Sequence, residues 1–142
     1  MLTQRTRYAL RALFALAEAP DERPVPISRI ATDQKVPRKF LELILADLKA
    51  AGLVEAYRGK AGGYRLARAA ETISFGEVIR LVDGPLALVP CVSQSAYQRC
   101  LDCVDEETCA IRRVMAQVRE SVVATLDGTS IGDALEQRLL AA

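Results

Sequence analysis

The sequence predicts a mainly α-helical chain carrying one small β-hairpin, and three observations support that expectation. Apolar residues recur at the helical period in successive stretches between residues 3 and 140. A single pair of strand-like segments, 53–57 and 63–66, is joined by a glycine-rich tip. The 142 residues, 51% of them hydrophobic, supply one modest core and argue against disorder.

Residues 3–19 set Tyr8, Ala12, Leu13, Leu16 and Ala17 on one helical stripe and keep Arg5, Arg7, Arg11 and Glu18 off it. Those arginines break the apolar run too often for a signal peptide. Nothing in the chain approaches the ~20 apolar residues of a membrane span, so the expectation is a soluble, cytoplasmic protein with no membrane partner. Pro20, Pro24 and Pro26 impose a loop, and Pro26 suits the first position of a short second helix that buries Ile27, Ile30 and Ala31. After a turn at Gln34-Lys35-Val36, Pro37 starts a third helix reaching about residue 51. Phe40, Leu41, Ile44, Leu45 and Leu48 form its inward face, and Gly52 supplies a left-handed cap. A short helix, a tight turn and a longer helix with a basic start make a helix-turn-helix, and the hairpin tipped with Arg58 and Lys60 adds a wing.

A winged helix-turn-helix of this kind reads double-stranded DNA. Arg38 and Lys39, at the start of the second helix of the motif, are the candidates for base edges. Arg29, Gln34 and Lys35 are placed for phosphates. Arg58, Lys60, Gly62, Gly63 and Tyr64 form the wing that approaches the backbone or the minor groove. Charge agrees with this reading. Residues 1–70 carry 13 Lys and Arg against 7 Asp and Glu, whereas residues 71–142 carry 6 against 11, a split hidden by the net charge of +1. The expected organisation is therefore a DNA-binding domain over residues 1–70 and a sensor and dimerisation part over 71–142.

In the second part Ser74 and Glu77 match a capping box opening a helix to residue 83, with Phe75, Val78, Ile79 and Val82 inward and Gly84-Pro85 ending it. The stretch to about residue 102 is long for an internal connection, which marks it as functional or mobile. From Asp105 the pattern turns helical again, with Glu106 and Glu107 in the first turn. Ile111, Val114, Met115, Val118, Val122 and Leu126 trace one side of a helix of about 23 residues. So small a domain does not cover such a helix, and its stripe is expected to pack on a second copy, giving a homodimer that engages two half-sites. Ile131, Leu135, Leu139 and Leu140 make a short final helix.

All four cysteines, Cys91, Cys100, Cys103 and Cys109, lie in or beside the connecting stretch, and the chain has no histidine. Thiolates gathered this tightly share a metal or an iron–sulfur cluster more readily than they staple a fold, since stapling needs an oxidising compartment. Four of them suit a [2Fe–2S] or a [4Fe–4S] cluster, and sulfur-rich sites also take zinc or serve as a thiol/disulfide switch.

The stretches TRYALRALFALA, VPRKFLELILADLKAAGLVEAYRGKAGGYRLAR, ISFGEVIRLVDGP, CAIRRVM and GTSIGDAL span nearly the whole chain. They resemble winged-helix regulators of the IscR, NsrR and RirA type, which sense iron–sulfur status, nitric oxide, iron or redox state. The resemblance implies a homodimer with crossed long helices and a cluster in the loop before each. It also implies that Cys91 and Cys109 are ligands, with Cys103 or Cys100 supplying the middle one. The chain departs from the family pattern of three cysteines at shorter, more even intervals: eight residues separate Cys91 from Cys100, Cys-x-x-Cys follows, and five separate Cys103 from Cys109. Arg112 stands where some relatives place a fourth ligand, and Arg7 where others supply a carboxylate from the partner's first helix. The cysteines are then the expected source of all four ligands.

The function expected is a sequence-specific transcriptional regulator, read as a repressor, whose DNA affinity is controlled by a cluster on Cys91, Cys100, Cys103 and Cys109. Whether the loaded or the empty form binds is open at this point. A cluster-free regulator, using zinc or a thiol switch and answering to redox state, a small molecule or a cysteine-metabolism partner, is the alternative. An iron–sulfur electron carrier is a distant third, having no need of a helix-turn-helix. An enzyme is not expected. Without histidine no Ser-His or Cys-His pair exists, and no Gly-rich nucleotide loop or paired-carboxylate site is present.

Overall fold

Thr3 opens the first helix from an extended conformation, its hydroxyl oxygen accepting the amide of Thr6 at 3.2 Å, and α1 (Gln4–Ala17) winds on from there. In this computed structural model residues 2–142 are described, the side chain of Glu22 excepted. α1 buries Thr6, Ala9, Leu10, Ala12, Leu13 and Leu16, a wider face than a single stripe. The reason is its central place, since α3, α4, α6 and β2 all pack against it.

The helix-turn-helix forms from α2 (Ile27–Gln34) and α3 (Arg38–Ala50). Pro26 and Pro37 stand one residue outside these helices, not at their first positions: both keep extended ψ angles of 141° and 129°. Each instead offers its carbonyl to the first turn, Pro26 to Arg29 at 3.0 Å and Pro37 to Leu41 at 3.1 Å. Within α2 only Ile30 is fully buried, with Ile27 and Ala31 at the core's edge. α3 buries Leu41, Ile44, Leu45 and Leu48 but leaves Phe40 exposed, a correction to the inward face expected from its spacing. Gly52 carries the left-handed conformation (φ 77°) after the end of α3.

The strands β1 (Val54–Tyr57) and β2 (Gly63–Leu66) pair antiparallel, Val54 opposite Leu66 and Tyr57 opposite Gly63. Val25 joins β2 through an isolated bridge to Tyr64, exchanging hydrogen bonds of 2.7 and 2.9 Å. α4 (Phe75–Asp83) starts from Ser74, whose hydroxyl accepts the amide of Glu77 at 3.1 Å. The expected box is only half made, because Arg68 takes the Glu77 carboxylate.

α5 (Ala110–Asp127) begins at Cys109, not near Asp105. Asp105 opens a turn of its own over 106–108: its carboxylate accepts the Glu107 amide at 3.2 Å and the Thr108 hydroxyl at 2.7 Å, which competes with helix formation. The helix has 18 residues, roughly 27 Å at about 1.5 Å each. Its far end is tied to α4 by a two-pronged pair of Arg80 and Asp127 at 2.7 and 2.8 Å.

α6 (Ile131–Ala141) carries a complete capping box, Ser130 and Asp133 exchanging hydrogen bonds of 2.9 Å. The Ile131 amide reaches the Ile73 carbonyl at 2.8 Å, so the starts of α4 and α6 are stitched together beside α1. One core results, in which Ile73, Val78 and Ile131 join Leu13, Leu41, Leu45, Leu48 and Leu53. Removing the box by Ser130→Ala is expected to cost about 1 kcal/mol. That corresponds to a melting temperature lower by roughly 3 °C, read by thermal denaturation.

Candidate functional site

Two groups of residues stand out as chemistry-bearing surfaces, one at the helix-turn-helix and wing and one at the start of α5. In the first, the turn between α2 and α3 is pinned by buried Val36, whose amide donates to Ala31 O at 3.0 Å. The same turn sets Lys35 in a left-handed conformation with its side chain in solvent. Arg29 pairs with Asp33 at 3.4 Å and Arg38 with Glu42 at 3.3 Å, both one helical turn apart and exposed. Such pairs are worth about 0.3–0.5 kcal/mol, so a phosphate or base edge displaces them readily. Lys35, Lys39, Arg58 and Lys60 make no ion pair among the described residues. Gln34 is half-buried at the end of α2.

The wing carries Arg58 and Lys60 at its exposed tip. Gly62 closes the tip turn, its amide donating to Gly59 O at 3.0 Å, and Gly63 and Tyr64 follow at the start of β2. Neither glycine has room for a Cβ, and the Tyr64 side chain packs against the core. Arg65 lies 4.7 Å over the Tyr57 ring and 3.2 Å from the Glu55 carboxylate. Hydrogen bonds from Tyr57 and then Arg65 hold that carboxyl below the usual range. The strands thus stiffen the hairpin that presents the tip.

In the second group, Cys91, Cys100, Cys103 and Cys109 all line one cavity of about 330 Å3, with Val89, Ile111 and Arg112 in its walls. Cys91 is buried in the one-turn helix Pro90–Val92, and Cys100 is exposed. A hydrogen bond with Cys91 pushes the Cys100 thiol up. The Cys103 amide donates to Cys100 O at 3.2 Å, closing a tight turn between those two. Cys109 is the N-cap of α5, its Sγ accepting the Arg112 amide at 3.4 Å. The loop is held by its own side chains: Tyr97 donates to Glu106 at 2.6 Å, and Ser93 Oγ accepts the Ala96 amide at 3.0 Å. Arg119 Nη1 donates to Val92 O at 2.8 Å and ties α5 to the turn holding Cys91.

Among the described residues, no group of three or more Cys, Asp or Glu closes tightly enough to hold a single metal ion. The donor set nonetheless fits a larger anionic centre. Four sulfurs share one cavity, and the Nε of Arg112 is buried with no partner in the residue that forms its wall. From the sequence, Arg112 reads only as a position unable to ligate. Its spacing of three from Cys109, one turn up the same helix face, is the signal that places it in the cavity.

α5 buries none of its residues fully, and the expected stripe stays open: Ile111 is 68% and Val118 36% exposed. Val118, Val122 and Leu126 line an apolar groove of about 460 Å3 together with Leu2, Ile79 and Leu88. No helix among the described residues is long and apolar enough to cross a membrane.

The sequence matches the Rrf2 family, described as iron-dependent transcriptional regulator, over residues 2–137. It is 46% identical over 138 residues to a Rhodobacter capsulatus protein named as an rrf2-like HTH-type transcriptional regulator, covering 95% of this chain and 92% of that one. The fold is similar to CymR, the global cysteine regulator of B. subtilis, with a TM-score of 0.80 and 28% identity across 96% of this chain and 97% of that one. It is also similar to T. potens IscR, with a TM-score of 0.75 and 28% identity across 97% and 88%. A helix-turn-helix with a wing, a core built around α1, and a family match over nearly the full length lead to one conclusion: the chain belongs to the Rrf2 family of transcriptional regulators.

Proposed function

We propose that this regulator acts as a homodimer holding an iron–sulfur cluster on Cys91, Cys100, Cys103 and Cys109, with residues 1–70 reading operator DNA and 71–142 sensing and dimerising. The observation that carries the proposal is the single cavity lined by all four cysteines at the N-terminus of a helix whose apolar stripe is uncovered. With no three donors among the described residues closing on one point, the set favours a multi-iron cluster over zinc, which draws its ligands around one atom at about 2.3 Å. When bound, the cluster supplies iron–thiolate bonds that join three chain segments and a centre that oxidants dismantle.

The chain's own residues carry the consequence to DNA. Arg119 links α5 to the turn of Cys91, and the Arg80–Asp127 pair links α5 to α4. α4 packs on α1, and α1 packs on α3. A change in how the two α5 helices cross therefore changes the separation of the two α3 helices. Half-sites about 34 Å apart make affinity sensitive to that separation. Lys39, Arg38, Arg29, Gln34 and Lys35 face the major groove and its phosphates, and Arg58 and Lys60 face the backbone from the wing tip. Gly62, Gly63 and Tyr64 hold that wing in place.

A second reading keeps the regulator and drops the cluster. The likeness to a cysteine regulator favours it, and all four cysteines are free thiols lining one cavity. Anaerobic purification separates the two, with visible absorption and iron, sulfide and zinc measured per chain. Iron and sulfide with a visible band are expected. The double variant Cys103→Ser/Cys109→Ser is expected to lose the band and to shift operator affinity by about 5- to 150-fold, the ordinary span of coupling between sites. A chain without iron or sulfide supports the thiol reading, and unchanged affinity in the variant rejects the coupling.

A further inference from the structure

We infer that Phe40 and Leu43 read thymine methyl groups in the major groove, a specificity element that rests on the DNA reading proposed above. The spacing of Phe40 suggests a core residue, yet it is 58% exposed, and Leu43 one turn on is 62% exposed. α3 turns Leu41, Ile44, Leu45 and Leu48 inward, none of them more than 2% exposed. The helical period then puts Lys39, Leu43, Ala46 and Ala50 on the opposite face, with Phe40 at its flank.

Scattered exposed apolar residues need no explanation. These two differ by position and company. They occupy the first half of the helix that enters the groove, in a region where Lys35, Lys39, Arg58 and Lys60 have no acidic partner among the described residues. That cationic frame suits a polyanion and disfavours a protein partner at the same face. Within a DNA groove the choice narrows further. Phe and Leu carry no donor or acceptor, so base-edge hydrogen bonds are closed to them. The apolar feature of the major groove is the C5-methyl of thymine. Glu42, between them in sequence, is an acceptor held by Arg38, which supplies polar readout beside the apolar pair.

The test uses the full-length chain and duplexes selected from a random pool for tight binding. Each thymine of the selected site is replaced in turn by deoxyuridine, which removes the methyl and nothing else. At one or two thymines per half-site the wild type is expected to lose about fourfold in affinity, the worth of one buried methyl. Phe40→Ala or Leu43→Ala should bind thymine and uracil alike at its own position. Lys39→Ala should weaken all sites while keeping the methyl preference. The inference is overturned if no single replacement lowers affinity beyond scatter. It is equally overturned if the loss persists undiminished in both Phe40→Ala and Leu43→Ala. A selection that enriches no sequence at all rejects the DNA reading itself, and this inference with it.

Discussion

Val118→Arg is expected to leave a folded monomer whose affinity for a two-half-site operator is lower by about 10²- to 10⁴-fold, the advantage that linking two binding modules confers. Val118 lies mid-helix on the stripe of α5 and lines the apolar groove shared with Leu2, Ile79, Leu88, Val122 and Leu126. A helix whose apolar residues face water has no reason to repeat them at the helical period, and α5 repeats them from Ile111 to Leu126. In a two-fold dimer the same residue appears on both sides of the seam. One arginine per chain therefore sets two like charges near the axis, and the one carboxylate lining the groove among the described residues, Asp83, already accepts from the Thr3 amide and hydroxyl. The fold itself should survive, because Val118 lies outside the buried core and α5 stays anchored by Arg80–Asp127 and by Arg119 to Val92.

Sedimentation gives the mass and fluorescence anisotropy on labelled operator gives the affinity. An unchanged melting curve shows that the fold is kept. A variant that stays dimeric means that α5 is not the seam. A monomer that binds as tightly as the wild type means that one copy suffices, and the two half-site reading fails.

Periodicity in the sequence predicts the apolar stripe of α5, and that stripe lies open along the helix. The stripe of α1, most of the inward face of α3 and the glycine-tipped hairpin are local patterns set by the period and turn chemistry of each element, so they were legible. The four cysteines were legible as residue types in one segment, although their convergence on one cavity needed the path of the loop. What failed depended on partners distant in the chain or on competition at a single carboxylate. Phe40 fits the helical stripe of α3, but stripe membership does not say where the covering core ends. Glu106 and Glu107 look like a helix start, but the Asp105 carboxylate binds the next amide and hydroxyl and postpones the helix to Ala110. Ser74 and Glu77 have capping-box spacing, but Arg68 claims the glutamate. The division into a reading part and a sensing part follows charge, whereas burial joins Ile73 and Ile131 to the core of the helix-turn-helix.

Gly63→Ala is the substitution expected to cost most stability. Gly63 has φ 144°, a backbone region that L side chains rarely adopt. A Cβ there would sit 2.7 Å from Pro26 N and closer still to the carbonyl of Val25. The obstacle is backbone, and it is the backbone that bridges Val25 to Tyr64, so no flexible side chain swings aside. Positive-φ strain contributes about 1–3 kcal/mol, and displacing the bridge adds the loss of its two hydrogen bonds. A total of about 3 kcal/mol or more lowers the melting temperature by roughly 10 °C. Gly52→Ala is the control: φ is 77° but nothing lies within 4 Å of the added Cβ, so the cost should stay near ~1 kcal/mol. Because the bridge positions β2, the Gly63 variant should also lose the part of its operator affinity that Arg58 and Lys60 supply. Below its lowered melting point, that appears as a shallower dependence of affinity on salt than the wild type shows. A Gly63→Ala protein that melts no lower than Gly52→Ala would mean that the wing is not fastened to the segment before α2, and its tip would then be free to approach DNA in more than one orientation.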